Sequence, residues 1–188
     1  MARHALVAYA TKHGGTIEIA VRIGETLRAC GLDVDVRSVG DVTDLRGYDL
    51  VVLGSAVYMF RWQGEALDFA RRFEPELREG PTWFFSSGPT GGTPKADAQV
   101  AEQLERQGPP PGKAGAFATR IGIRGHRTFG GHVGDGMGGF FERWVPKGDW
   151  RDFEDVTAWA QLIAADPVLS KNAVPHRHDG SQSTTPAR

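Results

Sequence analysis

Short apolar runs alternate with helical patterns along residues 4–165, and that alternation constrains the fold more than any other property of the chain. The runs are His4 to Ala10, Val34 to Val39, Leu50 to Ser55, Thr82 to Ser86 and Gly115 to Arg120, all of strand length. Between and after them, about Gly15 to Ala29, Gln63 to Phe73, Lys95 to Gln107 and Phe153 to Ala165 read as helices. In the first helix Ile19, Ile23 and Leu27 recur at i, i+4 and i+8 on one face. Gly31 is a natural residue just past its end. Asp35 and Arg37 alternate with valines, which places strand two at an edge, whereas Leu50 to Ser55 is apolar enough to be central. Strict alternation of this kind predicts an α/β fold, a parallel sheet with helices on both faces.

Length and charge narrow the function. The 188 residues suffice for one domain with its own core, read here as residues 1–165. Residues 166–188 carry Ser, Thr, Pro, His and Arg with few apolar residues and read as a disordered tail. A formal net charge of -1 offers no basic surface for nucleic acid. Cys30 is the single cysteine, so no internal disulfide forms; it reads as a small core residue in a reduced, cytoplasmic setting. No stretch approaches the ~20 apolar residues of a membrane span, and no signal-peptide pattern opens the chain. His176 and His178 alone are too few for a metal site, so no metal is assigned.

Ligands of such sheets bind beyond the carboxyl ends of the strands, so the loops there carry the chemistry. After strand one comes Thr11-Lys12-His13-Gly14-Gly15-Thr16. Turn N–H groups and a helix N-terminus converge there on one point and favour an anion. The glycine spacings of a Walker loop or a dinucleotide fingerprint are absent, so one terminal phosphate fits better than a pyrophosphate. The same string also serves an ordinary turn with a threonine N-cap. After strand three, Ser55-Ala56-Val57-Tyr58-Met59-Phe60-Arg61-Trp62 is unusually apolar for a loop and could wall a flat ring, or pack on a partner subunit. Trp62 is the tryptophan expected to reach that ring, with Trp83 and Trp159 in the core. After strand four, Ser86-Ser87-Gly88-Pro89-Thr90-Gly91-Gly92 lets backbone groups approach a ligand closely. Phosphate, apolar wall and backbone hydrogen bonds together describe a mononucleotide site.

These three loops resemble those of the flavodoxin-like family, over roughly residues 4–165. The matching strings are Thr11 to Thr16, Gly54-Ser55-Ala56-Val57-Tyr58 and Phe84-Phe85-Ser86-Ser87-Gly88. The resemblance is to the branch that includes menaquinone-dependent protoporphyrinogen oxidase, which Gly148 to Val156 also resembles. It implies a flavodoxin-like three-layer sandwich, five parallel strands in order 2-1-3-4-5, and FMN as cofactor. It places Thr11, Lys12, His13, Gly14, Gly15 and Thr16 at the phosphate. Ser55, Ala56, Val57, Tyr58 and Met59 flank the ring on one side, and Ser87, Gly88, Pro89 and Gly91 on the other. Catalytic residues remain unassigned. The near-neutral charge lacks the acidic field by which electron shuttles dock, and no glycine between Ser55 and Gln63 permits a peptide flip beside the ring. The expectation is therefore an FMN-dependent oxidoreductase, with a quinone-linked dehydrogenase as its narrower form. The alternatives are an electron-transfer flavodoxin and a non-enzymatic module with weak flavin binding. Partners would be a redox protein, a small-molecule or quinone substrate, or a second copy of the chain.

Residues 120–150 are glycine-rich and aperiodic and read as one long loop. His126 and His132 lie in it near Arg120, Arg124 and Arg127, either as a solvated cationic loop or as a source of a proton over the site. Gly134 to Gly139 matches Gly-x-Gly-x-x-Gly but follows no strand, and reads as a lid rather than a dinucleotide site.

Overall fold

The first apolar run builds the centre of the molecule. In the computed structural model, which describes residues 2–12, 14–88, 98–99, 102, 107–133 and 148–171, β1 spans His4–Ala10. It is followed by α1 (Gly15–Ala29) and β2 (Asp33–Ser38). Next come β3 (Leu50–Tyr58), a two-residue β4 (Arg61–Trp62), α2 (Gly64–Arg72), α3 (Glu74–Glu79) and β5 (Thr82–Ser87). The described remainder holds α4 (Lys113–Ile121), β6 (Gly125–Phe129), β7 (His132–Val133), β8 (Gly148–Asp149), α5 (Phe153–Ala164) and α6 (Pro167–Lys171). The sheet runs β2-β1-β3-β5-β6, every neighbour parallel, with β4 hairpinned onto β3. Counted by the five long strands, this is the expected order 2-1-3-4-5.

Strand pleating sends alternate residues to opposite faces, and each face has its own core. Leu6, Ala8, Leu53 and Phe84 join Phe69, Leu77, Phe117 and Ile121 under α2, α3 and α4. Ala5, Val7, Val52 and Phe85 join Ile19, Ile23, Leu27 and Trp159 under α1 and α5. Helix α1 ends as its sequence predicts. Gly31 adopts φ 90°, and Leu32 N–H donates back to the Leu27 carbonyl. Cys30 sits at that turn and is exposed, not a core residue.

Three expectations fail on particular residues. Gly115 to Arg120 is not a strand but lies within α4, because Ala114, Phe117, Ala118 and Ile121 are buried at i, i+3, i+4 and i+7. The fifth strand is β6, inside the stretch read as a loop; as an edge strand it is polar along most of its length. Residues 167–171, expected in an unpacked tail, form α6 and bury Leu169. The helix expected at Lys95 to Gln107, the Gly134 to Gly139 motif, and residues 172–188 fall largely or wholly outside the described residues. No described helix is long and apolar enough to cross a membrane.

The edge beside β2 carries a polar cluster with a predictable pH response. Tyr48 Oη donates to Asp35 Oδ2 at 2.5 Å, and Arg37 Nη2 donates to the same oxygen at 2.9 Å. The Tyr48 hydrogen bond, helped by Arg37, holds the Asp35 carboxyl below the usual carboxylate range. Burial, with Asp35 beside it, pushes the Tyr48 phenol up to about 12, so it stays a donor at ordinary pH. A carboxyl depressed in the folded state stabilises above its unfolded pKa of about 3.9 and loses that contribution as pH falls through the folded value. Tyr48→Phe is therefore expected to cost about 1 kcal/mol near pH 7, discounted for partial exposure. The difference from wild type should close below about pH 4. Urea unfolding at pH 7 and pH 3 measures both, and a gap that persists undiminished at pH 3 contradicts the assignment.

Candidate functional site

Sheet register brings the three candidate loops together. Ala10 of β1 lies beside Ser55 of β3, and Ser55 beside Ser86 of β5, so all three strands deliver their loops to one edge. At the first loop, Gly14 adopts φ 81° as the N-cap of α1. Its N–H donates to Thr11 Oγ1 at 3.1 Å, which folds the turn back on itself. Ile17 N–H donates to the Gly14 carbonyl at 2.9 Å. The first amides of a helix have no intrahelical acceptor, so those of Gly15 and Thr16 stand at a positive helix end. Lys12 is exposed beside them, and His13 lies outside the described residues.

The informative atom of this loop is Thr16 Oγ1. Thr16 is fully buried, and its hydroxyl has no hydrogen-bond partner among the described residues. A buried hydroxyl left unpaired costs about 1–3 kcal/mol. A donor held at that cost beside a helix N-terminus fits an anion's oxygen, and so fits a phosphate.

The second loop is a tight hairpin. Val57 pairs with Trp62 and Tyr58 with Arg61, leaving Met59 and Phe60 as the turn. Both adopt positive φ, 48° and 59°, without being glycine. Such conformations cost of order 1–3 kcal/mol each for a residue with a side chain and persist where surrounding structure imposes them. The strained turn presents Tyr58, Met59 and Phe60 at 61%, 76% and 75% exposure. Below it Ser55 Oγ accepts from Gln63 N–H at 2.9 Å and donates to the Ala56 carbonyl, fixing the root of the hairpin. At the third loop, Gly88 has φ 107°, and a β-carbon there would lie 3.4 Å from the Val57 carbonyl oxygen. The second and third loops therefore touch. Of the residues expected here, Ser87 and Gly88 are described and buried, while Pro89 and Gly91 lie outside the described residues.

Trp62 does not reach out from the hairpin toward a ligand. It is 4% exposed, packs on Phe84, and its Nε1–H donates to Ser86 Oγ at 2.8 Å. Ser86 Oγ in turn lies 2.8 Å from His126 Nε2. Nor is His126 part of a solvated loop, since it sits on β6, opposite Phe84.

Two further neighbours border the site: His132, which the sequence offered only as one of two alternatives, and the segment before α4, of which it gave no sign. A β-carbon on Gly15 would lie 3.5 Å from the carbonyl oxygen of His132, so β7 lies against the first loop. It is held there by β8. His132 pairs with Asp149, and Arg151 grips Asp149 through Nε at 2.7 Å and Nη2 at 2.6 Å while its Nη1 reaches Glu18 of α1 at 3.2 Å. The Arg151 guanidinium holds the Asp149 carboxyl below its ordinary range. A β-carbon on Gly112 would lie 3.7 Å from the Phe60 carbonyl, so the segment before α4 borders the hairpin.

Comparison with known proteins agrees with this geometry. The model of one family, described as Flavodoxin domain, matches residues 6–129. No curated protein sequence matches the chain. Rubredoxin oxygen:oxidoreductase from Desulfovibrio gigas superposes with TM-score 0.58 at 14% identity over 91% of this chain, which spans only 37% of that protein. A flavodoxin from the domain Archaea superposes with TM-score 0.52 at 17% identity, over 88% of this chain and 99% of its own. Flavodoxin 2 from Bacillus cereus superposes with TM-score 0.52 at 22% identity, over 86% and 96%. At these identities the likeness is one of fold.

Proposed function

The chain belongs to the flavodoxin domain family, and on that premise we propose that it binds FMN at the ends of β1, β3 and β5 and acts as an FMN-dependent oxidoreductase. The observation that carries the proposal is the buried Thr16 hydroxyl at the α1 N-terminus, which has no partner among the described residues. Thr11, Lys12, His13, Gly14, Gly15 and Thr16 would hold the phosphate. Ser55, Ala56, Val57, Tyr58 and Met59 would flank the ring on one side, and Ser87, Gly88, Pro89 and Gly91 on the other. The flavin-binding unit is read as residues 1–165, with α6 packed onto it through Leu169. When bound, FMN supplies the redox chemistry of its ring; the chain supplies binding, orientation and exclusion of water. The Met59–Phe60 turn orients the ring wall, and the Ser55 and Gly88 contacts keep that wall at a set distance from β5.

Enzyme chemistry is preferred over shuttling on two grounds. The net charge of -1 gives no acidic docking field. The hairpin turn already holds positive φ with side chains in place, which leaves little freedom for a peptide flip beside the ring. A narrower reading, a quinone-linked dehydrogenase of the protoporphyrinogen-oxidase type, rests on the resemblance of the three loops, and of residues 148–156, to that branch. An electron-transfer flavodoxin is the second reading, favoured by the exposure of Tyr58, Met59 and Phe60, which a redox partner could cover. The test is an absorption spectrum of the protein after incubation with FMN and desalting, followed by a reductive titration. Bound FMN reduced in a single two-electron step is the expected result. Two resolved one-electron steps favour the shuttle, and a colourless protein rejects both flavin readings.

A further inference from the structure

The chain Trp62–Ser86–His126, buried at Trp62 and Ser86 and half-buried at His126, has only one arrangement of protons that satisfies every member. The Gly108 carbonyl can only accept, and it lies 2.6 Å from His126 Nδ1, so Nδ1 carries a hydrogen. The Trp62 indole can only donate, so Ser86 Oγ accepts from it. The single Ser86 hydrogen then points to His126 Nε2, 2.8 Å away, which must be unprotonated. Ser86 is fully buried, and Trp62 is 4% exposed. Protonating Nε2 would turn two donors on one hydroxyl oxygen and leave the Ser86 hydrogen without its acceptor.

Among the described residues, the groups bonded to the imidazole are uncharged. His126 stands in register beside Phe84 of β5, and its imidazole bonds Ser86 and the Gly108 carbonyl of the segment before α4. Charged residues of the flanking elements are engaged or turned away among the described residues. Arg127 binds Asp155, Arg124 binds Asp166, Arg120 binds Glu74, and Lys113 and Arg61 are exposed. Burial lowers the His126 pKa from the ordinary imidazole value, partly offset by the Gly108 hydrogen bond.

This chain ends where strain is stored. Trp62 is half of the two-residue β4 that closes the turn at Met59 and Phe60. A two-residue strand has little ladder of its own with which to hold two side-chain-bearing residues at positive φ. The indole anchor supplies what the ladder lacks. Ser86 also precedes Ser87 and Gly88, and the segment that carries Gly108 continues to Gly112 beside the Phe60 carbonyl. One imidazole thus ties together the roots of three segments at the carboxyl ends of the strands.

We propose that His126, as a neutral imidazole acting through Ser86, is a positioning residue that holds the Trp62-anchored hairpin in its ligand-facing form, so that acidification releases the hairpin and weakens flavin binding. The ligand-facing role rests on the FMN reading above; the relay itself does not. Two measurements on the full chain keep them apart. The first follows the Trp62 indole N–H resonance, identified by its loss in Trp62→Phe, in the flavin-free protein from pH 8 to pH 4.5. It should shift through one titration centred below the ordinary imidazole range, and the shift should vanish in His126→Gln. The second titrates FMN, by fluorescence quenching, across the same pH range. Wild type should weaken by about fivefold on acidification, the worth of one hydrogen bond, while His126→Gln should be weak and nearly independent of pH. Ser86→Ala, which deletes the link but keeps the histidine, serves where His126→Gln does not fold and should flatten the same profile. A Trp62 signal that ignores pH, or titrates unchanged in either variant, overturns the relay. A titrating Trp62 with an FMN affinity that does not follow it overturns the positioning role. No FMN binding at any pH rejects the FMN reading, and with it the ligand-facing role, while the Trp62 titration still decides the relay.

Discussion

Gly54→Ala is expected to destabilise the protein by about 3 kcal/mol, the upper part of the range for overpacking a core. Gly54 lies on β3, the middle strand, between Tyr9 of β1 and Phe85 of β5. A β-carbon there would fall 2.0 Å from Phe85 Cζ, 2.1 Å from Cε1 and 2.5 Å from Cε2. No rotation of a methyl group relieves such contacts, so the ring or the strand must move. The ring has nowhere to go. Phe85 is fully buried, with Phe129 at 6.3 Å and Trp159 at 6.4 Å between ring centroids, and Trp159 packs in turn on Trp83 at 6.0 Å. Moving the strand instead would shift Ser55, and with it the root of the ring-wall hairpin. For a chain of this size the cost corresponds to a fall in Tm of about 6–12 °C. Phe85→Leu in the same chain should recover part of it, because the two substitutions compete for one space and cannot be additive. Thermal unfolding of the two single variants and the double variant measures this. A Gly54→Ala protein within 0.5 kcal/mol of wild type would mean that the glycine is not there to admit the ring.

The contrast between α1 and β6 shows which parts of this fold can be read from local sequence. Helix α1 buries Ile19, Ile23 and Leu27 against the sheet and ends at a left-handed glycine. All of that information lies within the helix, so its range is legible without any tertiary knowledge. Strand β6 carries His126, Arg127 and Thr128, which no pattern of burial would assign to a sheet. Each is made acceptable by a partner far along the chain: Ser86 for His126, 40 residues away, Asp155 for Arg127, 28 away, and Gln107 for Thr128, 21 away. The preceding helix misleads for the complementary reason. Gly-Ala-Phe-Ala-Thr-Arg has small residues on every side, so both periods fit it. Only the surfaces it meets, Glu74 by Arg120 and the α2–α3 core by Phe117, select the helical one.

The candidate site divides along the same line. Thr11, Gly14 and Thr16 are neighbours in sequence, and a strand running into a helix through glycines is by itself a statement about backbone donors. The hairpin after β3 was legible as apolar, but its strained turn was not, since Met and Phe carry no preference for positive φ. The anchoring of Trp62 by Ser86 follows from the pairing of β3 with β5, and the approach of His132 to Gly15 from the separate β7–β8 pair, neither of which local sequence displays.

Thr16→Val is expected to move stability and ligand affinity in opposite directions. Valine keeps the shape of threonine and replaces a hydroxyl that has no partner among the described residues. The variant should therefore be as stable as wild type or more stable, by up to about 1 kcal/mol, because nothing is lost and a buried polar group is removed. With FMN the account reverses. A hydroxyl donating to a phosphate is a charge-assisted bond worth about 1.5–3 kcal/mol, so FMN should bind at least about tenfold more weakly. Riboflavin lacks the phosphate, and its affinity should change by less than about twofold. Three measurements on one variant, unfolding without ligand and titration with FMN and with riboflavin, thus separate the explanations for a buried threonine. A hydroxyl that braced the turn would lower stability when removed. One with no role would leave all three values alone, and equal losses for FMN and riboflavin would place it at the ring rather than the phosphate. Only a hydroxyl held ready for an anion gives a stable protein that has lost its preference for the phosphorylated flavin.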